Sequence, residues 1–272
     1  MSAAASKWGD LGPRVLSAII MLAIGVAAVW AGGLWIHLLV STACGMMVWE
    51  LTRMLAGTDG QKSLWLPLVS GAALFVASYT PIDTIILPLL LAPSLVGFSQ
   101  LKSANRPFAG RRIFMFYTAV ILIAGFSLIA LRDDFGIIWM LWLLLVVIVT
   151  DVAGYFAGKM LGGPKFWPRV SPKKTWSGTA AGWVGAAVVG MIFAQTVGGG
   201  GMVVLISVAV ALASQLGDIA ESAIKRHVGV KDSSNLIPGH GGLLDRFDGM
   251  LGAALLLIIV EFFVAFPPNT LG

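Results

Sequence analysis

The chain has 272 residues, of which 58% are hydrophobic and 11% are charged, and its mean hydropathy is +0.90. A soluble globular domain usually carries about 25% charged residues, so this composition excludes both an ordinary soluble globule and a disordered chain. The single cysteine, Cys44, excludes an internal disulfide framework and a multi-cysteine metal site. The composition therefore predicts a polytopic helical membrane protein.

Apolar segments follow one another along the whole chain, and a bilayer crossing takes roughly 20 apolar residues. We predict an all-α fold with about nine transmembrane helices, at residues 15–31, 34–54, 64–79, 82–98, 113–131, 135–157, 178–197, 202–224 and 249–266. The third and fourth segments are short and suit a tight hairpin. The polar connections are too short to hold a core of their own, so residues 1–272 are predicted to form a single membrane-embedded domain.

The positive charges predict the orientation of these helices. If the N-terminus is cytoplasmic, all 18 Lys and Arg residues except Arg132 fall on the cytoplasmic side, which is the positive-inside pattern. These residues are Lys7, Arg14, Arg53, Lys62, Lys102, Arg106, Arg111, Arg112, Lys159, Lys165, Arg169, Lys173, Lys174, Lys225, Arg226, Lys231 and Arg246. The longest connections, at about 159–177 and 225–248, then face the cytoplasm, so chemistry is expected at the inner membrane surface.

The eighth predicted span carries a polar stripe. Spacings of three, four and three residues place four side chains on one helical face: Gln215, Asp218, Ser222 and Lys225. Glu221 lies beside them. A carboxylate inside a bilayer costs about 2.5–3.5 kcal/mol, so Asp218 and Glu221 predict a cation against this face. The structural alternatives are an interhelical ion pair with Lys225 or Arg226, or simple placement near the helix end.

A loop rich in glycine and charge follows this span. Pro238 and its neighbouring glycines prevent a continuous helix and leave backbone N–H groups to face an anion. Asp245 and Asp248 are three residues apart at the start of the last span, where they repel each other unless a cation lies between them. Oxygen-only ligands favour Mg²⁺, and Asp218 is the predicted third ligand. The flanking residues predicted to bind phosphate are Lys225, Arg226, Lys231 and Arg246. A solvated, charged interfacial loop is the alternative.

A second polar group surrounds the end of the sixth span. Asp151, Tyr155 and Lys159 are spaced four apart and share a helical face. The following segment, 171–178, combines Lys173 and Lys174 with hydroxyl residues at a helix entrance, where free N–H groups and the helix dipole favour an anion. Contact with anionic lipid is the alternative interpretation of this basic loop.

The stretch 222–248 resembles the signature of the phosphatidate cytidylyltransferase (CDP-diacylglycerol synthase) family and matches each of its fixed positions. The resemblance rests on Ser222, Lys225-Arg226, Lys231-Asp232, Ser234, Ile237-Pro238, His240-Gly241-Gly242-Leu243 and Asp245-Arg246-Phe247-Asp248. The wider signature region covers about 214–249. The segments 151–155 and 171–175 also resemble family segments, whereas Ser177 stands where an acidic residue is expected.

The resemblance implies the reaction CTP + phosphatidic acid → CDP-diacylglycerol + pyrophosphate. It also implies a need for Mg²⁺ held by Asp218, Asp245 and Asp248, with a second, potassium-like cation sharing these ligands. Catalytic roles are predicted for these aspartates, Lys225 and Arg246. Substrate binding is predicted for Lys225, Arg226, Lys231, His240, Gly241, Gly242, Arg246, Ser171, Lys173, Lys174 and Asp151.

The family resemblance further implies a homodimer with a polar cavity open to the cytoplasm and the membrane. The expected partners are CTP, phosphatidic acid and membrane lipid, and no nucleic acid is expected. The short outer loops suit a bacterial inner membrane, with the active site facing the cytoplasm.

Two other functions compete with this interpretation. A magnesium-dependent transferase that consumes a CDP-linked lipid would carry an Asp-Gly-x2-Ala-Arg motif, which is not found here. A lipid flippase or anion transporter would line its pathway with the buried charges, and inverted repeats would favour it, but none is evident. No Ser-His-Asp order, HExxH or GxxxxGKS motif supports a hydrolase or an ATPase.

Overall fold

The computed structural model describes residues 11–56, 64–101, 107–264 and 266, and within these ranges the chain is helical apart from one short hairpin, the loop at 229–243 and short connections between helices. The elements are α1 (Leu11–Ala31), α2 (Gly33–Ala56), α3 (Trp65–Tyr79), α4 (Asp83–Gln100), α5 (Pro107–Asp134), α6 (Gly136–Met160), β1 (Lys165–Trp167), β2 (Ser171–Thr175), α7 (Trp176–Thr196), α8 (Gly200–Val228) and α9 (Leu244–Phe263). Four residues used above to predict orientation lie outside the described ranges: Lys7, Lys62, Lys102 and Arg106.

Each predicted span corresponds to one of these helices. In the described part of the chain, seven helices are long and apolar enough to cross a membrane, namely α1, α2, α4, α5, α6, α7 and α8. The two others are α3, which is shorter at 15 residues, and α9, which begins with charged side chains. Large apolar side chains remain exposed on the helices, as a lipid environment requires; examples are Leu22, Leu68 and Phe262.

A two-stranded antiparallel sheet occupies part of the connection between α6 and α7. Lys165 pairs with Thr175, and Trp167 pairs with Ser171. The Phe166 ring packs against the Trp176 ring with centroids 4.6 Å apart. The sequence analysis predicted a loop here, because strands of three and five residues are too short to show a period of two.

The chain divides into two compact units. The first consists of Met1–Ile129 and Val228–Arg246. Within it, α2 and α3 pack closely at Gly45, which has no side chain. A Cβ atom added to Gly45 would lie only 3.0 Å from the Pro67 carbonyl oxygen. The turn at 237–241 closes by an antiparallel bridge between Ile237 and Gly241. As predicted, this segment is not helical; Gly239 has φ 74° and Gly241 has φ 85°.

The second unit consists of Ala130–His227 and Phe247–Gly272. Here α6 packs closely against α7 at Gly154 and Gly178. A Cβ atom added to Gly178 would lie only 2.5 Å from the Gly154 carbonyl oxygen. In the same way, α8 packs against α9, where a side chain on Gly217 would collide with the Asp248 carbonyl. Small residues therefore set the helix spacing that positions the site.

Candidate active site

Three carboxylates of the second unit lie together where α8 meets α9. Asp218 and Glu221 are three residues apart on α8, and Asp248 lies near the start of α9. One ligand oxygen from each residue lies within 4.8 Å of the others. The close approach depends on Gly217, because a side chain there would displace the Asp248 backbone. Three oxygen ligands at this spacing suit a hard divalent cation.

Two lysines balance part of this negative charge. Lys174 Nζ lies 2.6 Å from Asp218 Oδ2 and donates a hydrogen bond of 3.1 Å to the Gln215 carbonyl oxygen. Lys225 forms an ion pair with Glu221, whose side chain is fully buried. The ion pair with Lys225 considered as a structural alternative is thus present at Glu221, within α8 rather than between helices. The cation beside Asp218 comes instead from β2, so the two polar regions that the sequence showed separately are joined.

A cavity of about 370 Å³ lies beside Asp218. Its lining residues are Thr150, Asp151, Gly154, Tyr155, Gly158, Lys159, Lys173, Lys174, Thr175, Gly178, Thr179, Gln215 and Asp218. The face of α6 predicted from the four-residue spacing is present, and Lys159 Nζ lies 5.7 Å from the centre of the Tyr155 ring. Three lysines and several hydroxyl groups give this cavity the chemistry to hold a phosphorylated molecule.

The N-terminus of α7 differs from the prediction of free N–H groups. The Thr175 side chain caps the helix and accepts a hydrogen bond of 3.2 Å from the Gly178 N–H. The Trp176 N–H donates to the Pro164 carbonyl at 3.0 Å. Ser177, at the position expected to be acidic, donates its hydroxyl proton to the Gly162 carbonyl. Because the protein satisfies these groups itself, the lysines are the stronger anion-binding candidates in this segment.

In the first unit, the loop between α8 and α9 surrounds the Asp245 carboxylate. Asp245 Oδ2 accepts hydrogen bonds from the Ser233 N–H at 2.9 Å, the Ser233 hydroxyl at 2.9 Å and the Gly242 N–H at 2.8 Å. Backbone N–H groups of the loop were expected to face an anion. The anion that they face in this structure is the protein's own Asp245.

The side chains of His240 and Arg246 hold the same turn. His240 Nδ1 lies 2.9 Å from Ser17 Oγ on α1. Arg246 donates from Nε at 2.9 Å and from Nη2 at 2.6 Å to the His240 carbonyl oxygen. Both residues therefore have structural contacts, and their predicted phosphate contacts stay predictions.

The predicted site residues fall into the two units. The second unit brings together Asp218, Asp248, Lys174 and Lys225, with Asp151 and Lys173 at the adjoining cavity. Ser171 begins β2, while Arg226 and Lys231 are exposed. Asp245 and Arg246 belong to the first unit. The predicted three-aspartate metal site, with Asp245 as a ligand, stays a prediction.

Comparison with known proteins gives the family. The model of the cytidylyltransferase family matches residues 12–264. The chain belongs to the cytidylyltransferase family. A phosphatidate cytidylyltransferase of Brucella suis biovar 1 (strain 1330) is 37% identical over 270 residues, which cover 95% of this chain and 96% of the relative. The phosphatidate cytidylyltransferase of Bacillus subtilis (strain 168) is 32% identical over 254 residues, 89% of this chain and 94% of the relative.

In this cytidylyltransferase family member, Glu50 is a buried acid that the sequence did not single out. This residue lies on α2, is fully buried, and accepts hydrogen bonds from the loop that carries Asp245. An acidic residue within an apolar span is itself a signal of function, and Glu50 interrupts the second predicted span in this way. Glu221 was noticed but not assigned to the acidic group that it forms with Asp218 and Asp248.

Proposed function

We propose that this chain is a phosphatidate cytidylyltransferase that makes CDP-diacylglycerol and pyrophosphate from CTP and phosphatidic acid. The observation that carries the proposal is the similarity to curated relatives of that name over 95% of the chain. The cavity beside Asp218 supports it, because carboxylates and lysines there can accommodate two polyanionic substrates. Residues 1–272 act as one membrane-embedded domain in this proposal.

The reaction requires little acid–base catalysis from the protein. A phosphate oxygen of phosphatidic acid attacks the α-phosphorus of CTP, a new P–O bond forms, and the bond to the β-phosphate oxygen breaks as pyrophosphate leaves. The second ionisation of a phosphate monoester has a pKa of about 6, so the nucleophile is already charged near neutral pH. The barrier comes from bringing two polyanions together, and positioned cations lower it.

The residues present fit a divalent cation such as Mg²⁺. Asp218, Glu221 and Asp248 offer only oxygen ligands, within 4.8 Å of one another, and this donor chemistry is the one Mg²⁺ prefers. Asp218 and Asp248 would hold the ion, with Asp245 as the third ligand predicted from the sequence. When bound, the ion would neutralise phosphate charge and stabilise the leaving pyrophosphate. A second, monovalent cation at these carboxylates belongs to the same proposal.

The lysines around the cavity bind phosphate in this proposal. Lys174 and Lys225 already stand beside carboxylates of the acidic group. Lys159 and Lys173 line the cavity. Each ammonium group offers three donors and a full charge to phosphate oxygens without requiring a fixed direction. Arg226, Lys231, His240 and Arg246 complete the set of proposed phosphate ligands.

The membrane arrangement follows the charge distribution. We propose nine crossings, a cytoplasmic N-terminus and an active site on the cytoplasmic face of the inner membrane of a bacterium. Apart from Arg132, the basic residues lie on the side this orientation assigns to the cytoplasm. A homodimer, expected from the family resemblance, is part of the same proposal.

The proposal is tested by incubating the purified, detergent-solubilised chain with Mg²⁺ and CTP labelled on the α-phosphate. We expect the label to enter a lipid product, and pyrophosphate to appear, only when phosphatidic acid is added. Pyrophosphate release without a lipid acceptor, or no labelled lipid with phosphatidic acid, would contradict the proposal. Supplying CDP-diacylglycerol with an alcohol acceptor distinguishes the transferase that consumes CDP-linked lipids, and movement of labelled lipid between vesicle leaflets distinguishes the flippase.

A further inference from the structure

Glu50 is a fully buried acid that the proposed chemistry does not use. It lies on α2 with 0% of its surface exposed. Burying a carboxylate is costly unless the group is hydrogen-bonded or paired. The retention of an acid at this position therefore depends on the groups that contact it.

Four hydrogen-bond donors surround the Glu50 carboxylate in the described part of the first unit. Oε1 accepts from the Ser234 hydroxyl at 2.5 Å and the Leu243 N–H at 2.8 Å. Oε2 accepts from the Leu244 N–H at 2.7 Å and the Ser233 hydroxyl at 3.3 Å. The two N–H groups can only donate, and Ser233 has one hydroxyl proton to share between Glu50 and Asp245, so the contacts suit a carboxylate that accepts at both oxygens.

One of these donors is the N–H of Leu244, the first residue of α9, and another is the N–H of Leu243 immediately before it. The first N–H groups of a helix have no partner within the helix, and the positive end of its dipole favours a negative group. Glu50 thus caps the N-terminus of α9 from α2, a helix that is distant in sequence. The arrangement fixes both the position and the direction of the segment that carries Asp245.

Ser233 connects Glu50 to Asp245. Its hydroxyl lies 3.3 Å from Glu50 Oε2 and 2.9 Å from Asp245 Oδ2, while its N–H also donates to Asp245. The space is tightly filled, because a side chain on Gly242 would lie 2.5 Å from Glu50 Oε1. Displacing the Glu50 carboxylate would therefore move the groups that hold Asp245.

We propose that Glu50 is a positioning residue for nucleotidyl transfer, which holds Asp245 through Ser233 and the start of α9. The proposal rests on the proposed function, since Asp245 is a predicted metal ligand there. Glu50 touches no substrate in this account. It acts by keeping the Asp245 carboxylate in place, and a misplacement of about 1 Å can cost about 100-fold in rate.

The test is the Glu50→Gln variant, which keeps the shape of the side chain but replaces one acceptor with a donor. We expect kcat for CDP-diacylglycerol formation to fall about 10- to 100-fold in protein that is still folded. Hydrogen exchange at the amides of residues 233 and 242–244 should become faster. Thr52→Val is the matched control, because Thr52 is buried on the same helix and its hydroxyl bonds to the Val48 carbonyl; it should leave kcat and exchange unchanged.

A double variant distinguishes positioning from simple support of the fold. If Glu50 acts through Ser233, Glu50→Gln combined with Ser233→Ala loses little more kcat than the more damaged single variant. Wild-type kcat and exchange in Glu50→Gln would overturn the proposal, as would an activity loss equal to the fraction of unfolded protein. The exchange measurement needs no substrate. An inactive wild-type protein would therefore reject the proposed function, whereas unchanged exchange would reject the role of Glu50.

Discussion

At the scale of single residues, Lys174 has the most informative position. Its ammonium group contacts the Asp218 carboxylate and the Gln215 carbonyl oxygen, and it also lines the cavity. Both side chains of the ion pair are partly exposed, at 22% for Lys174 and 36% for Asp218, so the pair alone adds little stability. A half-buried cation between an acidic group and a cavity is placed to contact an incoming phosphate.

Replacing Lys174 with methionine should therefore impair catalysis more than folding. A hydrogen bond to a charged group contributes about 1.5–3 kcal/mol, so we expect Lys174→Met to lower kcat/KM for CTP by about 10- to 100-fold. Lys165→Met is the control, because Lys165 is exposed on the neighbouring strand and does not line the cavity. Equal kcat/KM values for both variants in the lipid-labelling assay would show that Lys174 binds no substrate.

The sequence revealed site residues whose contacting residues lie close to them along the chain, and it did not reveal those whose contacts are distant in sequence. Asp218 and Lys225 were found because helical spacing places them on one face. The partners of Glu50 lie 183 to 194 positions away, and no local pattern reports a contact of that length. The same reason explains why Lys174 was not placed beside Asp218.

At the scale of elements, glycine determines how closely α8 and α9 approach. A side chain on Gly217 would meet the Asp248 carbonyl, and one on Gly252 would meet the Ala213 carbonyl. Backbone oxygens cannot rotate away as side chains can, so the helices would have to separate. The distance between Asp218 and Asp248 thus depends on residues without side chains.

The variant Gly217→Ala should lower both stability and activity. Overpacking typically costs about 1–3 kcal/mol, which corresponds to a fall of roughly 2–10 °C in Tm for a chain of this size. Gly201→Ala is the control on the same helix, since nothing lies within 4 Å of its added methyl group. Thermal unfolding in detergent measures the Tm of both variants, and the lipid-labelling assay measures their activity. An unchanged Tm for Gly217→Ala would mean that α8 and α9 are farther apart than described.

The helices were predictable from the sequence and the hairpin was not. Apolar runs of 15 or more residues identify helices directly, and each predicted span matches one helix to within a few residues. The largest shift is at α5, predicted from 113 but beginning at Pro107. The next largest is at α9, predicted from 249 but beginning at Leu244. Its first turn is charged, and Glu50 stabilises that turn through a contact that hydropathy does not record.

At the scale of the whole molecule, the notable feature is that some acidic side chains are fully buried. The chain has 13 Asp and Glu residues in total, and two of those that the structure describes, Glu50 and Glu221, are fully buried. Each is satisfied differently, Glu50 by backbone and hydroxyl donors and Glu221 by Lys225. Buried carboxylates are costly in a membrane protein, so each of these two depends on the groups that contact it.

The most direct test of the account is the binding of Mn²⁺, as a spectroscopic substitute for Mg²⁺, to the purified protein without substrates. Electron paramagnetic resonance should detect Mn²⁺ bound to the wild-type chain. Asp248→Asn should weaken that binding at least tenfold, since even indirect contacts to a metal contribute about 10- to 100-fold. Asp83→Asn, which changes an exposed acid on α4, should bind as the wild type does. Equal Mn²⁺ affinity in the wild type and Asp248→Asn would contradict a metal site at the acidic group.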